Sequence, residues 1–431
     1  MINYKILLAT LLLTGIIFAQ QIPAAKQSKN IVITNATIHI GNGKVIENGS
    51  IAFENGKITQ VSSTQIGSNS STTEIIDAKG KHVYPGFIAP NSTLGLVEID
   101  AVKSSDDEDE IGSFNPHIKS SIAYNAESKV IETVRPNGVL IAQITPRGGR
   151  ISGTSSIVQL DAWNWKEAMI KENDGIHINF PVTFKKNGWW AEPGMSEVNK
   201  EYNKQIEELN SFFADCKAYN QAKPAERNLI FESTKGLFDG SQTLFINANN
   251  EKQIIDAVAF SKQNQVKKMV IVGGFEAYKV SGLLLENNIS ILLKRPHSMP
   301  EKEEQDVNLP YKMAKLLSDK GVLFALENSG DKERMNTRNL PFLAGSCAAF
   351  GLDKEVALQL ITLNSAKILG IDATCGSLEV GKDATLFISD GDALDMRTNK
   401  LSKAFIQGRS ISLENHQTDL NKKYKEKYGQ K

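Results

Sequence analysis

The chain of 431 residues is 41% hydrophobic, 23% charged and 7% aromatic, a globular composition that excludes disordered, fibrous and multi-spanning membrane classes. Forty-nine Lys and Arg balance forty-nine Asp and Glu, so no net field favours nucleic acid or an anionic surface, and no nucleic-acid partner is expected. Three scattered cysteines, Cys216, Cys347 and Cys375, supply neither a disulfide framework nor a structural zinc cluster, which leaves stability to a packed core.

In chain order, the first element reads as a leader. Lys5 precedes an apolar run from Ile6 to Ala19, short for a membrane span of ~20 residues, which ends at a small residue before Gln20-Gln21. Residues 1–19 are therefore expected to be a signal peptide cleaved after Ala19, with an uncleaved anchor as the alternative. The mature protein is expected to be exported, periplasmic or extracellular, with no stable membrane span after cleavage.

Strand patterns follow at Ile31-Val32-Ile33 and Ile51-Ala52-Phe53, and Asn55-Gly56 before Lys57 to Val61 is a type I′ hairpin signal. Similar short strands recur near the other end, at Ala384 to Ile388 and Ala404 to Ile406. Neither group can bury an apolar face by itself, so one small β domain built from both chain ends is expected.

Between them, apolar strand candidates recur at Val139–Ile144, Leu244–Ala248, Met269–Val272, Ile289–Leu293 and Val322–Leu326. Helical periodicity falls between, around Ile254 to Ala259 and over Lys312 to Leu317 behind Pro310. Strand and helix in alternation predict a parallel sheet, and about 285 residues from Pro85 to Gly370 suit a (β/α)8 barrel better than an open sheet. The stretch 163–220 reads as an insertion with its own helix, with Trp163, Trp165, Trp189 and Trp190 expected beneath it. The glycine-rich stretch Arg147 to Ser156 reads as a flexible loop, Asp106 to Glu110 as a solvated acidic face, and Asn421 to Lys427 as a frayed tail.

Three blocks carry a family resemblance: Gly80-Lys81-His82-Val83-Tyr84-Pro85-Gly86-Phe87-Ile88, Leu360-Ile361-Thr362-Leu363-Asn364-Ser365-Ala366-Lys367-Ile368-Leu369-Gly370, and Gly376-Ser377-Leu378-Glu379-Val380-Gly381-Lys382-Asp383-Ala384. The chain resembles the amidohydrolase superfamily near its imidazolonepropionase-like branch. The resemblance implies an α/β fold, a (β/α)8 TIM-like barrel over 85–371, with a small composite β-sandwich from 29–84 and 372–415. It also implies a hydrolase of amide or cyclic-amide C–N bonds other than peptide bonds, in which one or two divalent metals activate water.

The first strand of such enzymes reads Pro-Gly-apolar-apolar-Asp-x-His-x-His, because alternate residues of a strand face the same side and two imidazoles converge on the mouth. Here the same register is Pro85-Gly86-Phe87-Ile88-Ala89-Pro90-Asn91-Ser92-Thr93, with Asn91 and Thr93 at the histidine positions and Ala89 at the aspartate. By the same resemblance Asn247 fills another histidine position, and Asn328-Ser329 matches the Thr-Asp whose Asp is ligand and base. Amide and hydroxyl oxygens are poor zinc donors, so no metal or other cofactor is expected.

The preferred expectation is thus a pocket protein without its metal, with Asn91, Thr93, Asn247 and Ser329 around the pocket. It would bind a small molecule or form a homo-oligomer or a pair with a related active amidohydrolase. The alternative is an active enzyme with relocated ligands for zinc or another divalent metal, or with metal-free acid–base chemistry; His297 and Asp331 are its candidate groups. Arg295, beside His297, is a candidate for binding a substrate carboxylate.

Overall fold

The computed structural model describes residues 22–67, 72–189, 191–222, 226–302, 304–330 and 333–430. The expected leader, residues 1–19, lies outside the described residues. No helix among the described residues is long and apolar enough to cross a membrane.

Both chain ends meet in one eight-stranded sheet. The N-terminal part gives β1 (Asn30–His39), β2 (Val45–Glu54), β3 (Lys57–Ser62), β4 (Thr73–Asp77) and β5 (His82–Pro85). The C-terminal part gives β16 (Leu386–Ser389), β17 (Leu401–Ile406) and β18 (Arg409–Ile411), after the ten intervening strands. The order is β18-β17-β16-β5-β1-β2-β3, and β1 forks, taking β4 along Asn30–Thr34 and β5 at Thr37 and Ile38. Antiparallel pairing of β5 with β16 joins the two ends. Asn55 and Gly56 both adopt positive φ, 50° and 79°, the backbone that a type I′ turn between β2 and β3 requires. Ile33, Ile38, Ile51, Phe53, Val83, Leu386 and Phe405 form the core of this sheet.

A second sheet of eight strands forms the barrel: β6 (Phe87–Ser92), β7 (Val139–Ile144), β8 (Ile151–Gln159), β9 (Met169–Asn179), β12 (Thr243–Ala248), β13 (Met269–Gly273), β14 (Ser290–Lys294) and β15 (Phe324–Glu327). The remaining pair, β10 (Phe184–Trp189) and β11 (Glu192–Val198), is a hairpin that joins neither sheet. Between β15 and β6 the seam is bridged by the backbone of Leu360 and Ile361, which accept from Leu326 and Ile88 at 3.2 and 2.8 Å.

The five strands read from apolar runs are all present. Two others escape that reading. Ile151–Gln159 is a wholly buried strand, not a flexible loop, and runs antiparallel to both β7 and β9. Its Ser152, Thr154, Ser155 and Ser156 conceal it, because hydroxyls are rarely counted as core residues until their partners are known. The stretch 163–220 does carry a helix, α1 (Tyr202–Ala222), but it also supplies β9, whose Lys171-Glu172-Asn173-Asp174 interrupts the apolar signal. Trp163 is 49% exposed, whereas Trp165 packs partly on the core. The side chain of Trp189, like Trp190, lies outside the described residues.

Four further helices position the site. In α2 (Glu251–Gln263), Asn250 and Gln253 form a reciprocal cap, and α3 (Leu309–Asp319) begins with Pro310 in its first turn as expected. After β15 come α4 (Glu333–Asn336) and α5 (Leu340–Ala349). Gly138, which leads into β7 at φ 89°, lies so close to Phe387 that a Cβ would stand 2.6 Å from its ring. That close approach seats the barrel floor on the composite sheet. The tail is ordered rather than frayed: Asn415 caps a helix over His416–Tyr428.

Candidate functional site at the barrel mouth

Strand alternation divides the barrel interior into two layers. Ile88, Ile141, Ile157, Phe245, Val272, Leu292 and Ala325 form an apolar plug. One step further toward the mouth, the inward positions become Gln143 on β7, Ser155 on β8, His177 on β9, Asn247 on β12, Lys294 on β14 and Glu327 on β15. On β6 the step is irregular. The register slips between Ala89 and Ser92, and Asn91 takes φ 52°, a conformation that asparagine tolerates better than most residues.

This irregularity turns Asn91 into the hub of a buried network. Its Nδ2 donates to Glu327 Oε2 at 3.2 Å, and its backbone N–H donates to Gln143 Oε1 at 2.9 Å. Its Oδ1 and its carbonyl accept from the two terminal nitrogens of Arg147, at 3.0 and 2.8 Å. The same guanidinium pairs with Glu333 Oε1 at 2.7 Å. Glu333, at the start of α4, also accepts from the backbone N–H of Thr93 at 3.0 Å and of Gly330 at 3.1 Å. Ser329 closes the ring, donating to Glu327 from its N–H at 2.6 Å and from its hydroxyl at 2.8 Å.

A second branch runs deeper. Gln143 Nε2 donates to Asp174 Oδ2 at 2.8 Å, and Ser155 Oγ donates to Asp174 Oδ1 at 2.7 Å. With the serine proton committed there, His177 Nε2 carries its own proton and donates to Ser155 Oγ at 3.0 Å. That tautomer leaves Nδ1 as a buried acceptor without a partner among the described residues. The imidazole stacks on Phe245, centroids 4.5 Å apart.

Burial governs the ionisation of these groups. It pushes Asp174 up to about 6 against the opposing hydrogen bonds from Ser155 and Gln143. It also raises Glu327, opposed by the Ser329 donors, and drives His177 well below the usual imidazole range, aided by the positive charge of Arg147. Glu108, in the acidic run expected to be solvated, is half-buried near Arg147 and is likewise raised by burial.

The structure thus brings Asn91, Thr93 and Ser329 together, through Glu327, Glu333 and Arg147. Asn247 faces the mouth elsewhere, with its Nδ2 donating to Asn179 Oδ1 at 3.0 Å. Arg295 lies against the Ser329-Gly330 turn, where a Cβ on Gly330 would stand 3.0 Å from its guanidinium. Its buried Nε has no hydrogen-bond partner among the described residues. His297 points away from the ring: exposed, it hydrogen-bonds Ser346 of α5 at 2.8 Å and sits near Tyr311. Asp331 lies outside the described residues.

Sequence reasoning misses Arg147, Gln143, Ser155, Asp174 and Glu333 as one network. A glutamine within the apolar Val139–Ile144 run was the available signal. Ser155 and Asp174 depend on β8 and β9 being strands, while Arg147 and Glu333 lie outside the strands and meet only in the folded chain.

A divalent metal does not fit this donor set. Asn91 Oδ1 already faces a guanidinium, Glu327 has donors on both oxygens, and Thr93 offers only a hydroxyl. Among the described residues, no three His, Cys, Asp or Glu side chains gather to hold an ion. Beneath Asn91, toward Asn328 and Thr337, the packing leaves only a crevice too narrow to admit a water molecule. A far larger cleft, about 1240 Å³, opens at the tips of β12 and β13, between the β10–β11 hairpin and α2.

An amidohydrolase family model matches residues 312–417. The imidazolonepropionase of Alkaliphilus oremlandii is 22% identical over 385 residues, covering 81% of this chain and 86% of that protein. The imidazolonepropionase of Flavobacterium psychrophilum is 22% identical over 391 residues, covering 85% and 92%. An amidohydrolase structure from Thermotoga maritima MSB8 superposes with a TM-score of 0.77 at 24% identity, covering 89% of this chain and 99% of that one. The barrel, the composite sheet and these likenesses agree on an amidohydrolase-type fold, and in sequence the chain is similar to imidazolonepropionases at low identity.

Proposed function

We propose that this is a metal-independent member of the superfamily, an exported protein whose barrel mouth binds a small molecule carrying a carboxylate. The observation that carries the reading is Arg147, whose guanidinium is held by Asn91 and Glu333 where metal ligands would otherwise converge. A fixed positive charge among the remaining oxygen donors repels a second cation. The carboxylate is assigned to Arg295, which no acid of the described residues neutralises, with Lys294 beside it on the inward face of β14.

Metal analysis of the protein, purified without chelator, tests the first half. The expected zinc and manganese content is far below one ion per chain. A stoichiometric metal, with chelator-sensitive hydrolysis of N-acyl or cyclic amides, would overturn the reading. For the second half, glutarate binding is followed by calorimetry. Arg295→Gln is expected to weaken it about tenfold, ~1.4 kcal/mol, while equal affinity in the variant would refute the assignment.

A second reading, a subunit that pairs with a copy of itself or with an active relative, draws support from the isolated hairpin. Phe184, Met195 and Val198 on it are 58%, 86% and 66% exposed, and a lone two-stranded hairpin is marginal in water. A monomer by sedimentation, unaltered by Met195→Lys, would remove that support for self-association.

A further inference from the structure

Remote from the mouth, the composite sheet meets the helical layer of the barrel through a cluster of ionisable rings. His39 at the end of β1 stacks on Tyr84 of β5, centroids 4.2 Å apart and 6° from parallel. Its Nδ1 lies 2.7 Å from Glu355 Oε1, on the short helix α6 (Lys354–Gln359), and its Nε2 lies 3.0 Å from His82 Nδ1. His39 is buried at 5% exposure, and Glu355 Oε2 is buried without a partner among the described residues.

The proton arrangement follows from these contacts. Glu355 has only lone pairs to offer, so His39 Nδ1 carries a proton and donates to it. Between His39 Nε2 and His82 Nδ1 there is room for one proton. A second would set two N–H groups face to face at 3.0 Å, between two cationic rings. The other ionisable groups facing His82 are Lys354 of α6, Asp392 after β16 and Glu47 of β2, besides the buried Tyr84 phenol. Lys354 and Asp392 pair at 2.8 Å, and Lys81 pairs with Asp390 at 2.7 Å, so neither pair leaves a free carboxylate dedicated to a second imidazolium.

We infer that His39, His82 and Glu355 form a pH-sensitive latch between the composite sheet and the barrel, closed while the two imidazoles share one proton and opened when both interior nitrogens are protonated. Burial and the neighbouring His39 both hold His82 below the usual imidazole range, in keeping with its closed state being the neutral one. The sign follows. A histidine whose folded value lies below its unfolded one loses stability as pH falls below about 6.5. The seam therefore weakens on acidification; the barrel's own depressed imidazole, His177, lies on β9 and stacks on β12, so β13 and β14 are a part of the barrel that carries no titrating histidine.

Hydrogen exchange of the full chain, read by mass spectrometry at pH 7.5 and 5.5 and corrected for intrinsic rates, tests the latch. Peptides covering Thr37–Gly41, His82–Pro85 and Lys354–Gln359 are expected to lose about tenfold in protection at pH 5.5. A peptide covering Met269–Lys294 in the barrel is expected to change little. His82→Gln, whose amide oxygen can still accept from His39, is expected to abolish the difference. Unchanged protection of the seam in the wild-type protein, or equal loss in barrel and seam, would overturn the latch even if the variant failed to fold. The same pH response in His82→Gln would overturn it as well.

Discussion

Replacing Arg147 by methionine keeps much of the aliphatic stem and removes the charge. Glu333 Oε1, the carbonyl and the Oδ1 of Asn91 then lose their guanidinium donors together. Breaking a buried ion pair by removing one partner costs ~3–5 kcal/mol. The Arg147 side chain is 25% exposed against 10% for Glu333, so water screens part of the loss and ~2–3 kcal/mol is expected. Urea unfolding at pH 7, followed by far-ultraviolet circular dichroism, measures it. The variant is then titrated with zinc. Because Asn91 and Thr93 stay weak donors, no stoichiometric uptake is expected even with the guanidinium gone. A stability within about 0.5 kcal/mol of the parent would show that Arg147 does not hold the mouth together. One zinc per chain would show that the oxygen donors fit an ion and that only the arginine had excluded it.

Three further outcomes follow from the same geometry. Asp174, raised from 3.8 to about 6, contributes stability that is present below about pH 4 and lost as pH rises through 6, so Asp174→Asn should gain on the wild type by up to ~3 kcal/mol between pH 4 and pH 8. Parallel stability profiles for the two proteins would contradict that. Phe245→Ala, which empties the plug beneath His177, should cost ~3–5 kcal/mol in denaturant unfolding, and a loss below about 1 kcal/mol would mean the interior collapses around the cavity. His297→Ala should leave stability within about 0.5 kcal/mol and glutarate affinity unchanged, since the ring meets Ser346 and not the mouth; weakened binding would return His297 to the site.

Legibility in the sequence followed the physical origin of each signal. The composite sheet was readable because Asn55-Gly56 dictates its own turn, and because short apolar strands at both ends needed each other's faces. Strands such as β12 and β13 were readable as apolar runs, broken in β12 only by Asn247 near its end, as strands buried on both faces are. By contrast β8 is buried with Gly153 and four hydroxyl residues, and its core character comes from partners contributed by β7 and β9. The site divided in the same way. Register along β6 located Asn91, but the slip after Ala89 and the αL backbone at Asn91, which let its side chain meet Arg147, are tertiary facts. Arg147 itself sits in a glycine-rich connection where local pattern carries no information about a partner 186 residues away.

The network also explains why one substitution would not build a metal site here. In a metal site, a doubly charged ion keeps neighbouring carboxylates ionised. Here that work falls to one guanidinium and to the proton affinity of the acids, since burial raises both Asp174 and Glu327. Every member is committed to another: Asn91 to Glu327, Gln143 and Arg147, and Glu327 in turn to Ser329. Asn91→His alone would supply an imidazole to the αL position, which histidine tolerates, but would strip Arg147 of its Oδ1 acceptor and Glu327 of an amide donor. Each orphaned group costs ~1–3 kcal/mol, and the guanidinium would still repel the arriving ion. Nitrogen donors at 91 and 93 therefore become useful only together with removal of the positive charge at 147.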